Sequence, residues 1–237
     1  MRIIVRLDIK NNFVIKGINF EGLRKVGNPS ELLEKYYTDG ADEILLIDAV
    51  ASLYGRNNLF DVIENAVKKT FVPITLGGGI RSIDDIKKAL DAGVDKIAIN
   101  TYATENPKII EESVKLFGAS TIMVNIEAKK IGNNSWEIYK NYGRDKTNIE
   151  INEWIKIVQN MGCGEILITS IDHEGLEMGM DTNLLEHVYN KINVPLIFSG
   201  GCSSVDNINY IKNNFPNVSV SIASSLHYNR LNIKELR

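Results

Sequence analysis

The sequence predicts one (β/α)₈ barrel of the α/β class, and three observations carry the prediction. The chain has 237 residues, close to the ~250 typical of that architecture. Eight short runs rich in Ile and Val alternate with longer stretches of helical period. The first half of the chain also resembles the second.

The strands are read at IIVRLDI (3–9), EILLID (43–48), VPITLGG (72–78), KIAIN (96–100), TIMVNIEA (121–128), EILITSI (165–171), VPLIFSG (194–200) and VSVSIAS (218–224). Such nearly continuous apolar runs suit parallel strands covered by helices. Amphipathic stretches lie between them: PSELLEKYYTDG (29–40), NLFDVIENAVKK (58–69), SIDDIKKALDAG (82–93), NPKIIEESVKLFG (106–118), INEWIKIVQNMG (151–162) and SVDNINYIKNNF (204–215). Several open with Ser, Asn or Pro and close at Gly, as helix caps prefer. Eight β-then-α units imply a parallel sheet able to close, with a doubly wound open sheet as the rival. Two features break the rhythm: KNNFVIKG after strand one reads as a loop, and SWEIYKNYGRDKT after strand five as an extra hairpin.

LGGGIRSIDDI (76–86) recurs as FSGGCSSVDNI (198–208), the apolar run before Asp48 recurs before Ser170, and LDIK around Asp8 has a counterpart in IEAKK around Glu127. All three pairs are offset by about half the chain, which favours two fused half-barrels, near 1–119 and 120–237, in a single domain. The repeat also puts Asp8 and Glu127 at the C-terminal ends of strands one and five, facing each other across the barrel mouth where active sites of this fold lie.

Composition narrows the function classes. A net charge of −3, with no long basic run, gives nucleic-acid binding little support. Cys163 and Cys202 have no metal-ligand spacing with each other or with His173, His187 and His227, so no metal, cofactor or disulfide framework is expected. The N-terminal MRIIVRLDIK carries charges where a signal peptide is apolar, and no stretch reaches ~18 apolar residues. A cytoplasmic protein acting on a small molecule is expected.

Gly77-Gly78-Gly79 and Gly200-Gly201 each follow a strand and precede a capped helix, so backbone N–H groups could converge on an anion there. Glycine required only by a tight turn is the plainer explanation, and the symmetric recurrence weighs against it. Asn100-Thr101 and Ser224-Ser225 add donors beside the two turns, and Lys16 offers a mobile cation. Two such sites suggest two phosphates. Asp8 and Glu127 interrupt apolar strands, where an unpaired carboxylate costs several kcal/mol. They read either as an acid and base with separated pKa values or as ion pairs with Lys10 and Lys129. Asp48 and Asp172 end strands and serve either the pocket's polar network or helix caps. Arg2, Glu43, Lys96 and Glu165 stand just before strands one, two, four and six with alternating sign, as a ring at the barrel bottom or as solvated strand ends.

Taken together, LDIK with VIKGINFEGLR, GADEILLIDAVAS, VPITLGGGIRS, DKIAINTYATENP, GEILITSIDHEG, SGG and IASSLHY resemble the cyclase subunits of imidazole glycerol phosphate synthases over nearly the full length. The resemblance implies a barrel that receives ammonia from a class I glutaminase subunit docked at its N-terminal face. It closes an imidazole ring on a bisphosphorylated ribulosyl substrate and releases an aminoimidazole carboxamide ribotide. It further implies a catalytic Asp8, a loop Lys16, one phosphate site at Gly77 to Gly79 with Asn100 and Thr101, and another at Gly175, Gly201, Ala223 and Ser224. Arg2, Glu43, Lys96 and Glu165 match the family's ammonia gate, and Asp95 matches a residue at the partner interface.

Three departures stand out. Glu127 occupies the place of the family's second catalytic Asp, the D-x-D-G after strand six is Asp172-His173-Glu174-Gly175, and Leu176 replaces a Thr. Two carboxylates are thus longer by a methylene. His173 reads as a loop residue. An alternative is a relative from a surface-polysaccharide pathway that delivers ammonia to form an acetamidino sugar. A non-catalytic scaffold is disfavoured by Asp8, Lys16 and the Gly turns, and a related isomerase by the four gate charges.

Overall fold

A computed structural model of the chain describes residues 1–51 and 60–237. In chain order its strands are β1 (Ile3–Lys10), β2 (Phe13–Ile18), β3 (Glu21–Gly27), β4 (Glu43–Asp48), β5 (Ile74–Gly77), β6 (Lys96–Ile99), β7 (Ile122–Gly132), β8 (Ser135–Lys140), β9 (Asp145–Glu150), β10 (Glu165–Ser170), β11 (Leu196–Ser199) and β12 (Val218–Ile222). Eight of them, β1-β4-β5-β6-β7-β10-β11-β12, pair in parallel, and β12 pairs back onto β1 to close a barrel. The open-sheet rival is thereby removed.

Period-two alternation divides each barrel strand between two cores. On β1, Ile3, Val5, Leu7 and Ile9 face outward into the layer shared with the helices, whereas Ile4 belongs to the barrel interior. On β7, Ile122, Val124 and Ile126 face outward and Met123 inward. The same parity carries Arg6 and Asp8, and Asn125 and Glu127, into the lumen. Leu45, Ala98, Leu167 and Ile197 fill the interior beside Ile4 and Met123.

The helices begin and end as the caps dictate. Asn28 accepts from Ser30 N at 2.9 Å to open Pro29–Asp39, which Gly40 closes in the left-handed region. Ser82 accepts from Asp85 N to open Ile83–Asp91, and Ser204 forms a capping box with Asn207 to open Val205–Asn214. These are equivalent caps in the two halves. The helix read at 58–69 is observed from Phe60, and residues 58 and 59 lie outside those described. Helix Thr182–Tyr189, opened by Asp181 accepting from Leu184 N and burying Leu184, Leu185 and Val188, supplies the helical unit after β10.

The segment after β1 corrects the sequence reading. It forms strands β2 and β3 rather than an open loop, joined by Asn19 and Phe20, both with positive φ. A two-residue turn of that hand matches the twist of a hairpin. The expected second hairpin is present as β8 and β9, turning through Asn141 and Tyr142, again with positive φ. The tips of the two hairpins meet over the barrel mouth, with the Phe20 and Tyr142 rings 4.4 Å apart. Among the described residues no helix is long and apolar enough to cross a membrane.

Candidate active site

Strands β1 and β7 lie four steps apart around the eight-stranded barrel in either direction, so Asp8 and Glu127 face each other across the lumen. Both are buried, at 0% and 1% exposure, because the hairpin tips roof them. Gly143 N donates to Glu127 Oε2 at 2.8 Å, and Phe20 lies over the Arg6 guanidinium at 5.2 Å. A Cβ on Gly143 would come within 2.6 Å of the Phe20 ring, so the roof closes only with glycine there.

Among the described residues neither carboxylate forms the ion pair, with Lys10 or Lys129, that the sequence left open as the alternative. Asp8 accepts from Arg6 Nε at 2.8 Å and from Lys16 Nζ at 3.5 Å, and Lys16 also bonds Glu174. Lys16 sits on β2 and is 2% exposed, so the mobile loop cation is instead a fixed, buried one. Its placement follows from the antiparallel pairing of Asp8 with Ile15, which brings the next residue over the mouth.

The charges around the two carboxylates differ, and so do their proton affinities. Burial works to raise the Asp8 carboxyl, but Arg6 and Lys16 outweigh it and hold the group below the usual carboxylate range. Burial pushes Glu127 up to about 7, against the opposing pull of Arg6 and of hydrogen bonds from Gly143 N and the Asn100 side chain. Burial lowers Lys16 to about 8 despite Asp8. The Tyr142 phenol is held well above its ordinary value by burial and by Asp8. The mouth thus holds an anionic carboxylate opposite one that changes protonation near neutrality.

Two recesses flank this centre. The first, about 450 Å³, is lined by Asp48, Gly78, Gly79, Asn100, Thr101 and Glu127 among others. The second, about 250 Å³, is lined by Glu174, Gly175, Gly200, Gly201, Ala223 and Ser224 among others. They are related by the half-repeat: Asn100 and Ala223 share one backbone conformation and each opens a short helix, Thr101–Glu105 and Ser224–His227. Glycine is needed for the backbone too. A Cβ on Gly78 would lie 2.3 Å from Asp48 O, and one on Gly201 2.2 Å from Gly179 O. Asp48 itself accepts from Val50 N and Ala51 N, so it caps the chain after β4 while lining the first recess. Asp172 lines neither recess and instead accepts from Lys130 N at 2.7 Å, holding the extension of β7. His173 is half-buried, with Nδ1 2.8 Å from Gly179 O.

At the opposite end the four charges do form a ring. Arg2 bonds Glu43 at 2.8 Å and also Glu165, while Lys96 bonds both carboxylates at 2.9 Å. Thr75 and Ser219 complete it by hydrogen bonds to Glu43 and from Arg2. Asp95, next to Lys96, is exposed and accepts from Ile74 N.

Arg6, Asn125 and Tyr142 escaped the sequence reading. The first two stand two residues before Asp8 and Glu127, and same-face parity along a strand is the signal that finds them. Tyr142 carries no such signal, since a hairpin tip's landing place depends on the whole fold. Among the described residues no group of His, Cys, Asp and Glu is placed to hold a metal ion.

Comparison with known proteins agrees with this geometry. Residues 2–232 match the family described as histidine biosynthesis protein. The imidazole glycerol phosphate synthase subunit HisF of Legionella pneumophila is 46% identical over 209 residues, covering 88% of this chain and 99% of that one. The protein of the same name from Bacillus cereus (strain G9842) is 41% identical over 236 residues, covering 100% of this chain and 94% of that one.

Proposed function

The chain belongs to the histidine biosynthesis protein family, and from that premise we propose that it is the cyclase subunit of imidazole glycerol phosphate synthase. The observation that carries the reading is the full-length likeness to relatives of that name, which also favours it over the amidino-sugar alternative. As such a subunit it works in a complex. The finer reading is that a class I glutaminase docks on the N-terminal face, near Asp95, and delivers ammonia through the ring of Arg2, Glu43, Lys96 and Glu165. A closed ring of paired charges seals the lumen against water while offering polar groups to ammonia, so one pair must part for passage.

The substrate's two phosphates suit the two recesses, with the reacting ribulosyl carbons between them over Asp8 and Glu127. Glu127 borders the first recess, and a carboxyl that is neutral below about 7 avoids like-charge repulsion with a phosphate there. Addition of ammonia to a ketone needs a proton delivered to the carbonyl oxygen and protons removed from nitrogen. Protonated Glu127 fits the first role and ionised Asp8 the second. Lys16, held by Asp8 and Glu174, is a cation within the same closed site.

The test is turnover of the bisphosphorylated ribulosyl aminoimidazole carboxamide substrate with an ammonium salt as the nitrogen source. Turnover by the wild type, lowered ~10³-fold in both Asp8→Asn and Glu127→Gln, is the expected result. A folded wild type that does not turn the substrate over, while binding acetamido sugar nucleotides, would overturn the reading.

A further inference from the structure

A buried arginine inside a barrel core demands an explanation, because an ion taken out of water costs several kcal/mol unless its bonds are replaced. Arg6 is 1% exposed and lies on the same face of β1 as Asp8. Its Nε donates to Asp8 Oδ1 at 2.8 Å, while Nη1 donates to Thr169 Oγ1 at 3.1 Å. Thr169 is on β10, three strands away around the barrel, so the guanidinium spans the lumen instead of lying along its own wall. Phe20 covers it from the roof. The third nitrogen, Nη2, is buried with no hydrogen-bond partner among the described residues. Thr169 in turn pairs in register with Glu127, so the far anchor sits beside the second carboxylate.

We propose that Arg6 is a positioning residue of the cyclase: its guanidinium, braced on Thr169, fixes the Asp8 carboxylate at the floor of the pocket opposite Glu127. The inference rests on the cyclase reading and adds to it a residue outside the set that the family resemblance implies. An arginine fork suits the task, since its planar donors hold two acceptors at a fixed angle. A lysine at the same place would supply the charge without the brace. The other groups facing Asp8 are Lys16 from β2, Tyr142 from the β8–β9 turn, Glu127 from β7 and His227 from the helix after β12, with Glu174 acting through Lys16. Lys16 is the remaining cation of that group bonded to Asp8, and burial has already weakened its hold on a proton. Removing Arg6 therefore leaves Asp8 with a weaker partner and a freer carboxylate.

The experiment compares Arg6→Gln, Arg6→Lys and Thr169→Val with the wild type in ammonium-driven turnover, as kcat, KM and their pH profiles. For Arg6→Gln we expect kcat to fall ~10²-fold with KM changed by less than about threefold, because the loss is of aim rather than of substrate contact. The acid limb of kcat should also move up by about one unit or more. Arg6→Lys should return the acid limb while leaving kcat low. Thr169→Val keeps the charge and removes the brace, so it should lower kcat with the acid limb unmoved. An Arg6 that is merely structural would lower stability without moving the acid limb, and an unmoved limb in Arg6→Gln overturns the proposal. Should the wild type fail to turn the substrate over, the functional reading falls and a second measurement still decides on Arg6. Carboxyl ¹³C NMR, with Asp8 assigned by its loss in Asp8→Asn, should find Asp8 titrating higher in Arg6→Gln, or in the equally uncharged Arg6→Met if the Gln variant does not fold. An unchanged Asp8 titration overturns it.

Discussion

The two ends of the barrel each gather buried charges, and they differ in how the charges balance. At the N-terminal end two cations meet two carboxylates, and each cation bonds both. At the C-terminal end Arg6 and Lys16 serve Asp8 and Glu174, while Glu127 has no ion-pair partner among the described residues and accepts from Gly143 N and the Asn100 side chain. The lower ring is also wetter, with the Arg2 side chain 36% exposed against 0% for Asp8. A closed set of pairs makes a seal. A set with one carboxylate lacking a cation partner suits the proton carrier proposed above, because that member is the one burial drives toward neutrality.

The contrast is broken most directly at Lys96. Lys96→Met leaves Glu43 and Glu165 sharing Arg2 alone, and removing one member of a buried pair typically costs ~3 kcal/mol. Urea denaturation should read that loss, while ammonium-driven kcat stays within about threefold of wild type because Lys96 lies at the far end from the chemistry. A stable variant with low turnover would mean that the ring acts on the reaction itself and that the two ends are not separate devices.

Glu127→Gln sharpens the comparison from the other end. The folded carboxyl stands near 7, above the ~4.3 of an unfolded Glu, so between these values the native state holds the proton more tightly than the unfolded chain. Stability contributed by the protonated form is present below the unfolded value and is lost as pH rises through about 7. Glutamine keeps an acceptor for Gly143 N and cannot ionise. At pH 8 the variant should therefore be more stable than wild type by roughly 3–4 kcal/mol, with the difference nearly vanishing near pH 4. Thermal melts across pH check this. A difference that does not change with pH would mean that Glu127 is paired as firmly as the ring carboxylates.

What the sequence makes legible follows the same division. The barrel strands and the capped helices were readable because periodicity and caps are local. Facing carboxylates were readable because the half-repeat converts sequence offset into a rotation about the barrel. The partners of Asp8 were not. Lys10 is its neighbour in sequence and shares its parity, yet it sits half-buried at the strand end, while the hairpin folds Lys16 back over the site. Arg6 carried a signal, a charge two residues before Asp8 in an apolar run, that parity alone could have used. The meeting of Phe20 with Tyr142 joins residues far apart in the chain, and no local pattern encodes that distance.

The smallest expected effect concerns salt. Arg2 is the most exposed member of either cluster, so its pair with Glu165 should respond to screening as surface pairs do. A double-mutant cycle on Arg2 and Glu165 in dilute buffer should give a coupling of roughly 1 kcal/mol, since pairs open to water rarely exceed that. At 1 M salt the screening length falls to about 3 Å, and the coupling should drop by about half. The corresponding cycle on Arg6 and Asp8, both in the dry lumen, should be unchanged over the same range. Equal salt responses would place water inside the lumen, and the low-dielectric argument that separates Asp8 from Glu127 would fail with it.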